Sequence, residues 1–270
     1  MRWLQFRTVQ RRFEVCSCRE NGGNLRFSPK HSYIKMSGQK DEHLLRKTTR
    51  HETILLKRLW TVSLEIAEIR SSFHQFDVGF DIIIDLIEPG TRVLDLGCGS
   101  GTLLQRLRDE KHVKGCGVEL DQEKVIGCIE RGIQVLKLDL DEGLEGFPNL
   151  SYEYVVLSRT LQQLMYPDRV VKEMLRVGFK SIIAFPNYGY WKVSLESIIS
   201  GRTPCTDTYP HPWFNTPDIH RLTIKDFKEF IRKIGGKIEK EIYIVGDVPR
   251  QDLFWSNRRA EWEFCLISNA

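Results

Sequence analysis

The segment Val93-Leu94-Asp95-Leu96-Gly97-Cys98-Gly99-Ser100-Gly101 constrains this chain more than any other. A short apolar run closes on an acid and then on glycines spaced two apart. The run reads as a buried strand. The glycines read as the strand-to-helix turn of a nucleotide cleft, where the backbone turns tightly and approaches a ligand with no Cβ in between. The spacing argues against one class of protein. A dinucleotide fingerprint, G-x-G-x-x-G, needs its third glycine at position 102, and Thr102 stands there. A nucleotide-binding dehydrogenase is disfavoured on that ground.

Beyond this turn the chain alternates between strand-like and helix-like segments. Strands are expected at 92–96, 115–119, 133–137, 153–158, 180–185, 238–245 and 262–267. Helices are expected at 78–88, 101–110, 122–131, 167–177, 191–199 and 223–235. Repeated β-α units build a parallel sheet with helices on both faces. No helix-sized segment separates the last two strands, so the last strand is expected to run antiparallel. The fold class is therefore α/β, a doubly wound and mostly parallel seven-stranded sheet.

The net charge of +4 conceals an asymmetry. Residues 1–50 carry 12 Lys/Arg against 4 Asp/Glu, and the remainder carries 28 against 32. The body of the protein thus gives no electrostatic reason to expect nucleic-acid binding. No apolar run approaches the roughly 18 residues of a membrane span, and no partner membrane is expected. Residues 1–40 read as a disordered extension or an organelle transit peptide, residues 41–75 as a helical segment, and residues 76–270 as the nucleotide-cleft domain. The localisation expected is cytoplasmic, or plastid or mitochondrial if residues 1–40 are a transit peptide. The 7 cysteines are scattered and form no metal-ligand spacing, which reads as free thiols and no metal site.

In such a sheet the ligand lies outside the C-terminal strand ends. The turn at 97–101, with the positive end of the following helix, suits a carboxylate. Asp95 can reach an amino group through a water. Glu119 ends the second strand, where an acid can accept hydrogen bonds from both ribose hydroxyls of an adenosine; otherwise it is a solvated charge. Asp121 reads as a helix cap. Asp139-Leu140-Asp141 follows the third strand. Ser158-Arg159-Thr160-Leu161-Gln162-Gln163 follows the fourth and offers no good acid–base group. The aromatic segment 185–221 reads either as a lid or partner-docking surface, or as a loop packed on the sheet edge. His211 and His220 within it read as structural rather than catalytic.

These segments resemble class I S-adenosylmethionine (SAM) methyltransferases. Segment 88–245 resembles more specifically the methionine biosynthesis protein MetW family. The resemblance rests on Glu88 to Gly99, on Gly115-Cys116-Gly117-Val118-Glu119-Leu120-Asp121, and on Asp139-Leu140-Asp141-Glu142-Gly143-Leu144. It continues through Leu157-Ser158-Arg159-Thr160-Leu161-Gln162 and Glu173-Met174-Leu175-Arg176-Val177-Gly178 to Phe185-Pro186-Asn187-Tyr188-Gly189-Tyr190-Trp191. It implies SAM as cofactor and an adenine contact at Asp139. The cofactor-binding set so implied is Asp95, Gly97, Cys98, Gly99, Gly101, Glu119, Leu120, Asp139, Leu140 and Ser158. It also implies a homoserine O-acyltransferase (MetX-like) partner, which the protein would assist in homoserine acylation. No catalytic residue is assigned. The alternative is an independent SAM-dependent methyltransferase acting on a small acceptor.

Overall fold

The computed structural model describes residues 78–269. The expectations for residues 1–40 and 41–75 lie outside the described residues. Helix α1 covers residues 78–86 and stops short of the expected 88, because Pro89 disfavours a helical residue before it. Then follow β1 (Arg92–Leu96), α2 (Thr102–Lys111), β2 (Lys114–Glu119), α3 (Gln122–Glu130), β3 (Gln134–Lys137) and β4 (Tyr152–Ser158). The second half comprises α4 (Pro167–Val177), β5 (Gly178–Pro186), α5 (Trp191–Ser200), α6 (Ile224–Lys233), β6 (Gly236–Val245), β7 (Val248–Arg250), α7 (Ser256–Arg259) and β8 (Trp262–Asn269).

The sheet order is β3-β2-β1-β4-β5-β8-β6-β7. Strands β1 to β5 pair in parallel, and β8 inserts antiparallel between β5 and β6. The strand order reverses between β1 and β4, so the crevice of the fold opens above their C-terminal ends. The sequence led to seven strands; the short edge strand β7 makes eight. Its cause is local. Gly246 (φ 56°) and Asp247 (φ 63°) form a two-residue turn with both central residues left-handed, the geometry that folds a strand back on its neighbour.

Alternating side chains divide the core between the two sheet faces. Val93 and Val156 pack with α1 and α2, whereas Leu94, Leu96, Val155 and Leu157 pack with α4 and α6. Helix α4 starts on Pro167 and buries Val170, Val171, Met174 and Leu175 along one stripe. Helix α6 is opened by a reciprocal cap in which Thr223 and Asp226 satisfy each other's backbone N–H groups. Among the described residues, no helix is long and apolar enough to cross a membrane.

Candidate functional site

The glycine turn lies at the reversal point between β1 and α2. Gly97, Gly99 and Gly101 all have positive φ, at 72°, 56° and 81°, but the three glycines differ in what surrounds them. A Cβ on Gly97 would lie 2.4 Å from Thr160 Oγ1, and one on Gly101 would lie 3.0 Å from Cys128 Sγ. Both must be glycine for internal packing as well. A Cβ on Gly99 would meet nothing within 4 Å. Gly99 therefore faces open space, where a ligand can approach its backbone.

The turn's own amides are largely committed within the protein. Gly97 N and Cys98 N donate to Val118 O, and Gly101 N donates to Cys98 O. Gly99 N donates to Glu119 Oε2 at 2.9 Å. The amides left to meet an anion are those of the first turn of α2, which have no intrahelical acceptor and no side-chain cap. The sequence had assigned that role to the whole turn.

Glu119 is more than a solvated strand end. It is 8% exposed. Its Oε1 accepts from Leu120 N and Asp121 N, each at 3.0 Å, while Oε2 holds Gly99. Three backbone donors thus replace water around the charge and tie β2 to the glycine turn. Asp121 caps α3 as expected, accepting from Glu123 N and Lys124 N. Asp95, 3% exposed, stands at the end of β1. Burial, with the Glu119 charge nearby, pushes its carboxyl up to about 7. Burial likewise raises the Cys98 thiol well above its ordinary value, so this sulfur, 3.8 Å from Cys128 Sγ, is a packing atom and not a nucleophile.

Further along the edge, Asp139 accepts from Asp141 N and opens the tight turn Leu140–Glu142. Asp141 points elsewhere, accepting from Met165 N and Tyr166 N and joining this turn to the start of α4. Leu120 is exposed on the rim, Leu140 is buried beneath it, and Ser158 is half-buried at the end of β4.

Sequence reasoning placed Ser158–Gln163 at the β4 end but missed the distant residues that meet Arg159 and Gln162 there. Arg159 sits there in a left-handed conformation, φ 62°, with its guanidinium 4.5 Å over the Trp262 ring. Burial pulls it down to about 10, and Asp218 counters that pull. Asp218 also feels Gln162, His211 and Arg221. Gln162 O accepts from both Ile219 N and His220 N, which holds this part of segment 185–221 against the β4 end. Arg221 lies over the rings of Tyr188 and Tyr209, and Tyr209 O–H donates to Pro186 O at 2.8 Å. The segment therefore divides into a packed part, with Tyr188, Tyr190 and Tyr209 clustered around Val193, and an exposed pair, Trp213 and Phe214. Asn187 is a fully buried hub: its amide donates to Asn257 O and Ala260 O, and its oxygen accepts from Gly189 N and Ile224 N. A larger cavity, about 550 Å³, lies between α6 and β6 and is lined by none of the glycine-turn residues. Among the described residues, no group of three His, Cys, Asp or Glu side chains is placed to hold a metal.

The family model described as methionine biosynthesis protein MetW matches residues 77–267. The chain belongs to the MetW family. A bifunctional methionine biosynthesis protein MetXA/MetW from Rhodopirellula baltica is 35% identical over 176 residues, covering 62% of this chain and 28% of that protein. The MetW-like chain thus spans under a third of that relative's length. Among solved structures, a SAM-dependent methyltransferase from Thermotoga maritima, described as a possible histamine N-methyltransferase, matches with a TM-score of 0.54. Its identity is 15%, over 77% of this chain and 96% of that one. The magnesium protoporphyrin IX methyltransferase of Synechocystis with bound S-adenosylhomocysteine matches equally, with a TM-score of 0.54 and 15% identity over 76% and 86%. These two establish that the MetW chain has the class I methyltransferase fold.

Proposed function

We propose that this MetW-family chain binds SAM at the glycine turn and supports a homoserine O-acyltransferase in homoserine acylation. The observation that carries the cofactor is Gly99. Of the three turn glycines it alone has open space where a Cβ would stand, and a buried carboxylate holds its amide in place. The residues around it fit SAM. The first turn of α2 suits the methionyl carboxylate, Asp95 the amino group, and Glu119 the ribose hydroxyls. Asp139 and Leu140 lie where the adenine would reach, with Leu120, Cys98 and Ser158 lining the way. SAM would supply an activated methyl group or serve as a sensed ligand.

The acyltransferase partner is supported by the relative in which MetXA and MetW form one chain. Joining two modules keeps each at high effective concentration around the other, which is selected where they work together. The absence of an acid–base group in the Ser158–Gln163 stretch favours assistance over methyl transfer. The test is the rate of acyl transfer to homoserine by an acyltransferase, with and without this protein and SAM. A rate that changes with both present, without formation of S-adenosylhomocysteine, is the expected result. An unchanged rate would remove the assisting role.

A second reading, an independent methyltransferase acting on a small molecule, is supported by the fold shared with solved methyltransferases. On that reading the rate would come from positioning donor and acceptor.

A further inference from the structure

Helix α5 presents its apolar stripe outward. Trp191, Leu195, Ile198 and Ile199 recur at i, i+4, i+7 and i+8, the pattern by which a helix packs on a core. The stripe is exposed, with Ile198 at 79% and Ile199 at 75%, and the residue that α5 buries is Val193, on the opposite side. A helix apolar on both sides is one that other structure covers. The turn into α7 adds to this face. Phe254 and Trp255, 73% and 70% exposed, stack on each other with ring centroids 5.3 Å apart. Arg258 Nη1 donates to Ser194 Oγ at 3.1 Å, which sets α7 beside α5.

The face is held in place. Trp255 keeps a left-handed backbone, φ 57°, a strained geometry for a tryptophan that persists where the surroundings enforce it. Its carbonyl accepts from Arg258 N and Arg259 N, and the Asn187 amide holds Asn257 O and Ala260 O. Asn187 directly follows β5, whose last residue, Pro186, pairs with Trp262 at the start of antiparallel β8. The face therefore lies at the end of the sheet that also carries the glycine turn.

Size and charge say what covers it. The six apolar side chains expose on the order of 800 Å², the share of one partner in a standard protein–protein interface. Tryptophan leads among the residues that carry binding energy at such surfaces. On α5 and α7 the exposed charges are basic, Lys192, Arg258 and Arg259, whereas the acid Glu196 is half-buried and accepts from Cys205 N. Asp252, ahead of Phe254, adds one exposed acid. A two-fold pairing of this face with a second copy would set those cations against their own counterparts. A partner with an apolar centre and an acidic border matches it. We propose that the face formed by α5 and the turn into α7 is where the homoserine O-acyltransferase docks, through an apolar seat bordered by carboxylates. The partner's identity rests on the function proposed above.

The test is a calorimetric titration of a homoserine O-acyltransferase from the same organism into the full chain and its variants. Ile198→Glu puts a charge into the stripe and turns it toward the partner's acids. Trp255→Asn suits the left-handed backbone and removes the ring. Each should raise the Kd at least about 30-fold, with the melting temperature unchanged. Arg259→Glu should weaken binding less and reduce its dependence on salt. Ile129→Ser, at a residue 63% exposed on α3 toward the other edge of the sheet, should leave the Kd unchanged. Equal affinity in Ile198→Glu, Trp255→Asn and the unaltered chain would overturn the docking face and leave the partner standing. No binding of the acyltransferase to the unaltered chain would overturn the partner, and the docking face with it. A dimer of the chain alone that Ile198→Glu dissolves, seen by sedimentation, would assign the face to a second copy and overturn the proposal as well.

Discussion

The two halves of the crevice are built from different materials. On the β1–β2 side the working surface is backbone and short acids: Gly97, Gly99 and Gly101, with Asp95 and Glu119 held beneath them. On the β4–β5 side it is long side chains from distant segments: Arg159, Asp218, Arg221 and Trp262, backed by Tyr188 and Tyr209. In the first half the fixed points are backbone amides, and Glu119 alone satisfies three of them. The second half carries donors with no acceptor among the described residues, at Trp262 Nε1 and Arg221 Nη1. The difference teaches that the two sides of one crevice can be fixed by different means, contiguous backbone on one and distant side chains on the other.

The largest expected effect comes from filling the space at Gly99. Gly99→Val should abolish SAM binding in a calorimetric titration. Because φ there is 56°, valine also strains the backbone by about 1–2 kcal/mol. Gly99→Asn, which tolerates that conformation, is the cleaner probe and should fold normally while losing at least about 100-fold in affinity, or roughly 2.7 kcal/mol. Unchanged affinity in the asparagine variant would sink the cofactor assignment.

Next comes Asp95. Its carboxyl is raised to about 7 in the folded protein from the ordinary 3.8, so folding favours the protonated form. The penalty is absent below about pH 4, grows as the pH rises through 7, and is complete above it. Asp95→Asn should therefore stabilise the protein at pH 8, on the order of a few kcal/mol, and change little at pH 4. The same substitution should weaken SAM binding, since the ligand's amino group pairs with the ionised acid. For the unaltered protein, SAM affinity should rise between pH 6 and 8. Thermal melts and titrations at those pH values check both signs; a pH-independent melting difference would count against a buried, titrating Asp95.

Glu119→Ala should cost about 1–3 kcal/mol of SAM affinity, through lost hydrogen bonds to a charged acceptor. It should also loosen the turn, which hydrogen exchange at the Gly99 amide would report. A variant with full affinity and a protected Gly99 would reduce Glu119 to a strand-end charge. The smallest effects belong to the other half. Tyr209→Phe removes the buried bond to Pro186 O and should cost about 1 kcal/mol of stability. Trp213→Ser, at a residue 71% exposed, should stay within about 0.5 kcal/mol. Equal losses at the two positions would erase the division of segment 185–221 into anchored and exposed parts.

What the sequence disclosed follows the same division. The β1–β2 side was legible because its residues are contiguous and each is dictated by a local need: glycine for positive φ, an acid at a strand end, Asp121 for a helix cap. The strand and helix segments were legible for the same reason, through periodicity. The commitment of the turn's amides to Val118 O and Glu119 was not legible, because hydrogen-bond partners depend on register. The meeting of residues on the β4–β5 side was not legible, because Arg159, Asp218 and Trp262 are separated by 59 and 44 residues; Trp262 arrives through the antiparallel insertion of β8 and Asp218 through the bonds of Ile219 N and His220 N to Gln162 O. Strand β7 left a local trace, the Gly246-Asp247 pair, which is a hairpin signal in its own right. Asn187 and Arg176, both within motifs shared with the MetW family, prove to be structural hubs. Arg176 donates to the carbonyls of Leu144 and Phe147 and to Asn149 Oδ1.

The most direct measurement is SAM binding to the purified chain by calorimetry, with and without a homoserine O-acyltransferase. The account predicts that SAM binds at Gly99 and that its affinity changes when the acyltransferase is present, because coupling between two ligands is reciprocal. SAM affinity indifferent to the acyltransferase would contradict the assisting role and leave an independent methyltransferase as the reading of this site.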